Sequence, residues 1–415
     1  MSADDHFDRL ETRPSEVREQ DLFAALRAQV AQAKANAPYF RECLSDIEAE
    51  AITDRTALAA LPVTRKSDLI DLQAPGHTLG GLTTLPDGGL KRIFQSPGPT
   101  YDPEGFGDDW WRTARALHAA GFRHGDVVHN TFSYHLTPAG AMMEAGAHAL
   151  GCAVVPAGVG NTDLQVQAIT HIRPTAYCGT PSFLKILLDK AAELGADVST
   201  LARASVGAEP FLPDQRAAFE AAGIEAYNIY ASADIGLIAY ESPAREGLIL
   251  DEGLILEIVT PGTGDPVPEG QVGEVVLTMP FNREYPLIRF ATGDLSAVMA
   301  GPSPCGRTNV RIKGWMGRAD QAAKVRGMFI HPRQIAEILK RHPEITRARM
   351  VVERIDGKDA MTLMIEMAFG DADFADAVED TVQAVCNLRG AVELTAPGTL
   401  PDDGKVIDDR RDSSA

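Results

Sequence analysis

The residues best suited to chemistry are two carboxylates, an arginine and a lysine in short glycine-containing strings. Asp294 ends the string Pro-Leu-Ile-Arg-Phe-Ala-Thr-Gly-Asp, and Lys405 ends the string Pro-Asp-Asp-Gly-Lys. Arg318 and Asp320 lie in Gly-Arg-Ala-Asp. A carboxylate accepts hydrogen bonds from paired hydroxyl groups, and an ammonium group stabilises negative charge that develops on oxygen. These strings therefore supply residue types that accept hydrogen bonds from hydroxyl groups and that stabilise an anion.

The elements that must position these residues alternate between helix-like stretches and short apolar runs over residues 108–230. Such alternation predicts a parallel sheet covered by helices, an α/β fold. Ligands of such sheets bind beyond the carboxyl ends of the strands. The loops after Gly207 and Tyr230 are therefore candidate binding loops.

The predicted pattern of secondary structure changes twice after residue 230. Residues of about 247–300 are rich in β-forming segments separated by Asp-Glu-Gly and Pro-Gly-Thr-Gly turns, which predicts a β-rich subdomain. Two helical and three strand patterns follow residue 320 and predict a small α+β lid. We therefore expect an N-terminal domain over residues 1–318 and a C-terminal domain over residues 319–415.

Composition narrows the classes of function. The 415 residues carry a formal net charge of -19, and 45% of them are hydrophobic. This charge argues against a nucleic-acid partner or an anionic membrane surface, because both would be repelled. No apolar stretch has the length of a membrane span, and no secretory signal is visible at the N-terminus. The five scattered cysteines favour a reducing cytoplasm.

Several strings in one order identify a resemblance that covers most of the chain. Besides those above, they include Gly-Ala-Glu-Pro at residues 207–210, Thr-Pro-Ser at residues 180–182 and Leu-Gly-Cys-Ala-Val-Val-Pro at residues 150–156. The sequence resembles the phenylacetate-coenzyme A ligase family of the adenylate-forming superfamily. The resemblance implies that ATP activates a carboxylate as an acyl-adenylate, and that the mobile C-terminal domain then rotates so that coenzyme A can attack.

The same resemblance implies a role for individual residues. Asp294 would bind the ribose hydroxyls, Arg318 would assist at the ribose or phosphate, and Asp320 would be the hinge. Lys405 would bridge the substrate carboxylate and the α-phosphate. The nucleotide-binding residues would further include Ala208, Glu209, Pro210, Tyr230, Ala231 and Ser232, with Glu209 along the adenine and Tyr230 either stacked on it or lining the acyl pocket.

Loops at the carboxyl ends of the strands should also form the acyl pocket. Small residues among them would leave room for a ring. The predicted acyl pocket consists of Phe132, Tyr134, His135, Ala139, Gly140 and Gly158.

The chain departs from the family pattern at the phosphate loop. Where relatives have a Ser/Thr/Gly-rich loop ending in Gly-Lys, residues 94–105 contain three prolines and no lysine. Proline removes a backbone donor, and Asp102 and Glu104 add negative charge. ATP binding of the usual kind is therefore not expected from this segment alone.

Two further departures concern metals. Asp234 replaces the glutamate that binds Mg²⁺ in relatives and is one methylene shorter, and Ala233 replaces a hydroxyl residue beside which Ser232 could substitute. The family's structural zinc ligands are also reduced, since Ser242 and Ile249 occupy two ligand places and Cys305 alone remains of the Cys-x-Cys pair. We expect ATP or AMP, Mg²⁺ and coenzyme A to bind, and no structural zinc.

Three functions are consistent with these residues. The first is a ligase that adenylates a small carboxylic acid, aromatic acids included, and then forms its coenzyme A thioester. The second is an acyltransferase or amide-forming enzyme that uses a pre-activated acyl group, and the third is an inactive homologue that only binds nucleotide or acyl ligands. A homodimer is compatible with each. Ordinary alternatives also exist for single residues: Asp294 as a turn residue, Glu209 as a surface carboxylate and Lys405 as a solvated lysine.

Overall fold

The structure is a computed structural model that describes residues 6–96, 100–319, 323–326, 328–355, 358–368, 370–401 and 405–411. The predicted hinge residue, Asp320, lies outside the described residues. None of the helices in the described part of the chain combines the length and apolar character that spanning a lipid bilayer demands.

The first part of the chain holds a helical layer and a hairpin. Its elements are α1 (Ser15–Asn36), α2 (Pro38–Cys43), α3 (Arg55–Ala59), β1 (Thr64–Arg65), α4 (Leu69–Leu72), β2 (Arg92–Ser96) and β3 (Thr100–Glu104). Phe23, Leu26 and Val30 of α1 follow one another at helical spacing and are buried in the largest hydrophobic core. Strands β2 and β3 pair antiparallel, with Ser96 opposite Thr100.

The middle of the chain forms the α/β layer together with three strands of a second sheet. Its elements are α5 (Thr113–Ala119), β4 (Val127–Asn130), α6 (Ala139–Ala149), β5 (Ala153–Pro156), α7 (Thr162–Ile172), β6 (Ala176–Gly179), α8 (Pro181–Leu194), β7 (Arg203–Gly207), α9 (Pro213–Ala221), β8 (Glu225–Ser232), β9 (Gly236–Glu241), β10 (Leu248–Leu250), β11 (Ile255–Val259), β12 (Gly273–Thr278), β13 (Phe290–Ser296), β14 (Val298–Met299) and β15 (Arg311–Ile312).

These strands confirm the predicted α/β sheet. In the order β14-β15-β10-β9-β8-β7-β6-β4-β5 they form a nine-stranded sheet, in which β5, β4, β6, β7 and β8 run parallel. Its parallel strands are short apolar runs because helices cover the sheet. The carboxyl ends of β7 and β8 therefore meet at one edge, where the binding loops were predicted.

Helix α8 illustrates how local sequence sets the boundaries of a helix. The Thr180 side chain accepts a hydrogen bond from the backbone N–H of Phe183 at 3.3 Å, and Pro181 occupies the first helical position. Gly195 ends the helix with a φ of 61°, a left-handed conformation that glycine adopts readily.

A second sheet lies beside the first and has the strand order β1-β13-β12-β11. The strands of the predicted β-rich segment are thus present, but β10 extends the nine-stranded sheet and β11 to β13 form the second sheet. Strand β1 pairs parallel with β13, with Thr64 opposite Phe290 and Arg65 opposite Ala291. This pairing brings the start of the chain alongside the strand that carries Asp294.

The C-terminal part folds as an α+β unit. Its elements are β16 (Ala323–Val325), β17 (Met328–Ile330), α10 (Pro332–Arg341), β18 (Arg347–Ile355), β19 (Lys358–Glu366), α11 (Ala372–Cys386), β20 (Ala391–Thr395) and β21 (Ile407–Asp409). Four of its strands form a sheet in the order β20-β19-β18-β21. Its buried side chains, from Ala323 to Ile407, form a hydrophobic core of their own. The two helices and three strands predicted for this region are present as α10, α11, β18, β19 and β20, whereas β16, β17 and β21 were not predicted.

Candidate active site

The Asp294 carboxylate is the centre of a hydrogen-bonded cluster at the end of β13. Its Oδ2 accepts from Tyr230 Oη at 2.7 Å, and its Oδ1 accepts from Trp315 Nε1 at 3.1 Å and from Arg318 Nη1 at 3.0 Å. The backbone N–H of Asp294 donates to Thr292 Oγ1 at 3.1 Å. The residue is only 9% exposed. This carboxylate is held by three donors from two segments, β8 and residues 315–318, and is therefore more constrained than an ordinary turn residue.

Tyr230 reaches Asp294 from β8 of the neighbouring sheet. Burial, and next the charge of Asp294, raise the pKa of the Tyr230 hydroxyl well above its usual range, so it remains a donor. Sequence predicted this ring either on the adenine or in the acyl pocket. The structure places it in the core with its hydroxyl on the predicted ribose acid.

A second charged cluster lies around Asp234, in the loop between β8 and β9. Lys66 Nζ donates to Asp234 Oδ2 at 2.5 Å, and the Asp234 side chain is fully buried. Lys66 follows β1 directly, so the pairing of β1 with β13 sets its position. Asp234 Oδ1 has no hydrogen-bond partner among the described residues.

Asp102 of β3 lies beside Asp234. Ser96 Oγ donates to Asp102 Oδ2, and Asp102 Oδ1 is buried without a partner in the described structure. Burial, and next the charge of Asp234, raise the pKa of Asp102 well above its usual range, against the lowering effects of Ser96 and Lys66. Tyr285 is also buried, with no partner for its hydroxyl among the described residues, and its burial, followed by the charges of Asp234 and Asp102, raises its pKa well above the usual range.

The hairpin that replaces the phosphate loop is therefore less negative than its sequence indicates. Glu104 is neutralised by Lys91 Nζ at 2.8 Å and by Arg92 Nη1 at 3.1 Å. Asp102 faces Lys66 and Asp234. Residues 97–99 at the tip of the hairpin lie outside the described residues.

An apolar cavity of about 570 Å³ opens next to these clusters. It lies at the carboxyl ends of the parallel strands, between α6, α8 and the loop after β8. Among the described residues its walls are Ser96, Thr131, Phe132, Ser133, Thr137, Pro138, Ala139, Met142, Met143, Val159, Thr180, Ser182, Phe183, Ile186, Gly207, Ala208, Ile229, Ala231, Ser232 and Ala233. A cavity of this kind suits an apolar ligand with a polar end.

Two of the six residues predicted for the acyl pocket, Phe132 and Ala139, line this cavity. Tyr134 instead donates from its hydroxyl to Glu144 Oε2 at 2.8 Å. Gly140 packs closely against the Tyr134 ring. A Cβ at this position would lie only 2.7 Å from a ring carbon. These two residues are not among the described residues that line the cavity.

The remaining two predicted pocket residues lie on loops. His135 is exposed, and its backbone N–H donates to Ser133 Oγ at 3.2 Å. The Gly158 carbonyl accepts from Gln165 Nε2 at 2.9 Å. Neither is among the described residues that line the cavity.

The segment predicted to lie along the adenine follows β7. Ala208 lines the cavity and has a φ of 67°, a left-handed conformation that is uncommon for a residue other than glycine. Such strain is concentrated at functional sites. Glu209 Oε1 accepts from the backbone N–H of Ser182 at 2.7 Å and so caps the N-terminus of α8, while Pro210 follows it on the same loop.

Lys405 lies in the C-terminal unit just before β21. Its Nζ is 3.8 Å from Asp408 Oδ1, and its side chain is 47% exposed. The backbone of Arg318 forms an antiparallel bridge with Asp294. Of the predicted residues, the structure therefore brings together Tyr230, Asp294 and Arg318, with Ala208, Ala231 and Ser232 on the adjoining cavity wall.

The place of the family's zinc site holds a different cluster. Cys305 Sγ lies 3.0 Å from Ser303 Oγ and 3.6 Å from Arg307 Nη1. Burial would raise the pKa of the Cys305 thiol, but hydrogen bonds with Ser242, Ser303 and Arg307 together lower it. Within the described ranges, no group of three histidine, cysteine or acidic side chains could hold a metal ion.

Sequence reasoning missed three residues of the site. Trp315 lies three residues before Arg318 and could have been suspected from that spacing. Lys66 had no such signal, because β1 is only two residues long and pairs with a distant strand. Asp102 was recognised only as an unfavourable charge.

Two family models match the chain. The first, described as AMP-binding enzyme, matches residues 108–282, and the second, described as AMP-binding enzyme C-terminal domain, matches residues 327–410. Phenylacetate-coenzyme A ligase of Thermus thermophilus is 32% identical over 376 residues, which cover 86% of this chain and 83% of that relative. The Pseudomonas putida enzyme of the same name is 32% identical over 346 residues, covering 80% of this chain and 77% of that relative.

Solved structures extend this similarity to the whole fold. An open conformation of 2-hydroxyisobutyryl-CoA ligase, in complex with 2-HIB-AMP and CoA, superposes with a TM-score of 0.72 at 26% identity and covers 98% of this chain and 95% of that one. The same ligase in the thioesterification state has a TM-score of 0.69, also at 26% identity, and covers 97% and 92%.

Proposed function

The chain belongs to the phenylacetate-coenzyme A ligase family of AMP-binding enzymes, and we propose that it activates a small carboxylic acid, aromatic acids included, in two half-reactions. In the first, a carboxylate oxygen of the acid attacks the α-phosphorus of ATP, which gives an acyl-adenylate and pyrophosphate. In the second, the thiol of coenzyme A attacks the acyl carbon, AMP leaves, and the thioester forms. The relatives' names and the bound 2-HIB-AMP and CoA of the solved ligase support both steps.

The observation that carries this proposal is the environment of Asp294. An ionised carboxylate offers about four acceptor positions, and Tyr230, Trp315 and Arg318 occupy three of them. Binding two ribose hydroxyl groups therefore requires one donor to leave. Trp315 is 52% exposed, so its indole can move away while the buried Tyr230 keeps Asp294 oriented.

The remaining nucleotide contacts follow from the adjoining cavity wall. Ala208, held in its left-handed conformation, and the backbone beyond it would border the adenine. Ser232 lines the cavity and its Oγ accepts from the backbone N–H of Ile235 at 3.3 Å, so its hydroxyl proton is available to an α-phosphate oxygen. Lys405 would approach from the C-terminal domain and stabilise the charge that develops there.

The residues around Asp234 fit a divalent cation. Asp234 Oδ1 and Asp102 Oδ1 are buried oxygen atoms with no hydrogen-bond partner among the described residues, and Mg²⁺ prefers carboxylate oxygens together with phosphate and water. Asp234 would hold the ion with Asp102 beside it. Mg²⁺ bound there would neutralise charge on the phosphates of ATP.

The cavity favours an acid with an apolar body. Phe132, Met142, Met143, Phe183 and Ile186 contribute apolar walls, so a ring or a branched chain would replace water there favourably. The cavity is also lined by hydroxyl groups, among them those of Thr180, Ser182 and Ser232, which can donate hydrogen bonds to the carboxylate of the acid. This arrangement supports an acid with an apolar body and one polar end.

The test is ATP- and Mg²⁺-dependent release of pyrophosphate over a panel of aromatic, aliphatic and hydroxy acids, with and without coenzyme A. We expect release that depends on the acid, and thioester formation that depends on coenzyme A. Absence of both across the panel would contradict the proposal. Thioester formation from a synthetic acyl-adenylate, with none from acid and ATP, would favour the transferase alternative that the altered hairpin first suggested.

Two expectations from sequence remain part of the proposal. All five cysteines lie within the described residues and none forms a disulfide, which is compatible with a reducing cytoplasm. A homodimer is the second expectation, and the mass of the protein in solution would test it.

A further inference from the structure

The hairpin that stands where the phosphate loop should be contains no lysine, so the charge that would hold the β- and γ-phosphates must come from elsewhere. The described residues beside the hairpin include one lysine that points into the charged cluster. Lys66 Nζ lies 2.5 Å from Asp234 Oδ2, and Asp102 of the hairpin acts on the same ammonium by its charge.

The fold fixes the root of this lysine next to the ribose acid. Arg65 is paired with Ala291 in the parallel β1–β13 ladder, so Lys66 follows at the level where β13 approaches Asp294. Arg318, the other cation of the site, is close enough to oppose the positive charge of Lys66. Two cations thus flank the position between Asp294 and Asp234.

The Lys66 side chain also has space to move. It is 26% exposed, and it borders an open cavity of about 240 Å³ whose walls include Gly293, Ala319 and His331. Gly293 and Ala319 are the immediate chain neighbours of Asp294 and Arg318. A ligand that binds to Asp294 can therefore extend towards Lys66 without crossing protein atoms of the core.

We propose that Lys66 is the phosphate-binding lysine of this protein: its ammonium pairs with Asp234 in the absence of nucleotide and binds the β- and γ-phosphate oxygens when ATP is present. The inference rests on the proposed function. It assigns to Lys66, the residue after β1, the contact with the β- and γ-phosphates that the family pattern assigns to the phosphate loop. A flexible four-carbon stem allows the ammonium to change partner without movement of the backbone.

This role differs from a purely structural ion pair in what it predicts for each half-reaction. A purely structural role would make Lys66→Gln impair both half-reactions alike. A loss of stability is expected under either role, because Asp234 is left buried and unpaired in both cases. A phosphate-binding role impairs only the steps that involve ATP or pyrophosphate. The affinity for AMP, which lacks the β- and γ-phosphates, then remains near that of the wild type.

The experiment compares the wild type with Lys66→Gln and Lys66→Arg. A matched control is Lys185→Gln, which removes a lysine from an exposed pair with Asp189 at 2.7 Å on α8. Calorimetry measures the binding of ATP, AMP and pyrophosphate. Separate assays follow pyrophosphate release from acid and ATP, and thioester formation from a synthetic acyl-adenylate and coenzyme A.

We expect Lys66→Gln to weaken ATP and pyrophosphate binding about tenfold to a hundredfold, the range for losing a hydrogen bond to a charged group. AMP binding and thioester formation should stay close to wild-type values, Lys66→Arg should recover part of the ATP affinity, and Lys185→Gln should change nothing. Equal loss of AMP and ATP binding, or unchanged ATP binding, would overturn the inference. If the wild type itself releases no pyrophosphate with any acid, the proposed function fails instead, and ATP binding still tests Lys66.

Discussion

Arg318 and Asp294 are joined twice, through an antiparallel backbone bridge and through an ion pair of 3.0 Å between Nη1 and Oδ1. The segment that leads to the C-terminal unit is thereby attached to the strand that carries the predicted ribose acid. A second Arg318 bond, to the Thr292 carbonyl at 3.3 Å, strengthens the attachment. The position of this segment and the state of Asp294 therefore depend on each other.

Replacing Asp294 should disrupt nucleotide binding more than folding. We expect Asp294→Asn to raise the KM for ATP about tenfold to a hundredfold, because the amide loses the charge and one acceptor that the ribose hydroxyls and Arg318 use. Pyrophosphate release at varied ATP concentration measures the effect. Asp163→Asn, an exposed residue of α7, is the control, and an unchanged KM in Asp294→Asn would refute the ribose assignment.

Lys405 should serve the first half-reaction alone. Removal of an ammonium that stabilises the charge at the α-phosphate should slow adenylation by about a hundredfold or more, by analogy with the loss of one oxyanion donor. We expect Lys405→Ala to retain thioester formation from a synthetic acyl-adenylate.

The stability of the Lys405→Ala variant should be unchanged, since the side chain is 47% exposed. Lys340→Ala, at an exposed position of α10, is the matched control. Equal rates of adenylation in Lys405→Ala and the wild type would show that Lys405 is a solvated surface lysine.

A larger side chain at Ala139 should narrow the range of acids. Ala139 begins α6 and lines the apolar cavity, so Ala139→Leu places three additional carbons where the acyl group would lie. We expect the kcat/KM for aromatic acids to fall at least about tenfold, since one methylene in an apolar pocket is worth about 1–3 kcal/mol, with a much smaller change for short aliphatic acids. Ala192→Leu, exposed on α8, controls for added hydrophobic area; equal losses for all acids would place the acyl group elsewhere.

The features that could be predicted from the sequence are those that depend on short contiguous motifs. Asp294 and Arg318 lie in adjacent strings, and β13 and the segment after it bring them together through short-range connections. The parallel strands were readable because strands buried on both faces are short apolar runs. The two helices after residue 320 were also predicted from local patterns, and the structure has a proline at the first position of α10.

Contacts between distant segments could not be predicted in this way. Lys66 reaches Asp234 only because the two-residue strand β1 pairs with β13, and so short a strand has no periodicity to recognise. Glu209 is predicted to lie along the adenine. Its bond to the Ser182 N–H could not be predicted from the sequence, because it depends on how β7 and α8 pack. The Tyr230 hydroxyl contacts Asp294 because the two sheets lie side by side. The relative position of the two sheets could not be predicted from the sequence.

The protein should contain no stoichiometric zinc. Three of the four ligand places hold Ser242, Ile249 and Ser303. At the fourth, the guanidinium of Arg307 lies against Cys305 and pairs with Glu11 Oε2 at 3.1 Å. The positive charge of Arg307 would repel a zinc ion bound at this position. Metal analysis of the purified protein should find no zinc, and a chelator should leave the melting temperature unchanged; one zinc per chain would contradict this expectation.

His129 should make stability depend on pH in the weakly acidic range. It lies fully buried on β4, with Nε2 2.9 Å from Gln165 Oε1 and with no partner for Nδ1 among the described residues. Burial lowers the pKa of His129, against a smaller raising effect of Gln165. Between the folded pKa and the unfolded value of about 6.5, only the unfolded chain binds the proton, so stability falls as the pH falls through this window.

The measurement is the free energy of unfolding from urea titrations between about pH 7.5 and pH 5.5, for the wild type and for His129→Asn. Below about pH 6.5 the wild type should lose up to about 1.4 kcal/mol per pH unit relative to the variant, the value of one proton bound only on unfolding. Gln165→Ala is the matched control, because it removes the same hydrogen bond and keeps the imidazole buried, so the pH dependence should persist. If the free energies of unfolding of the wild type and His129→Asn differ by the same amount over the whole pH range, His129 takes up no proton when the protein unfolds.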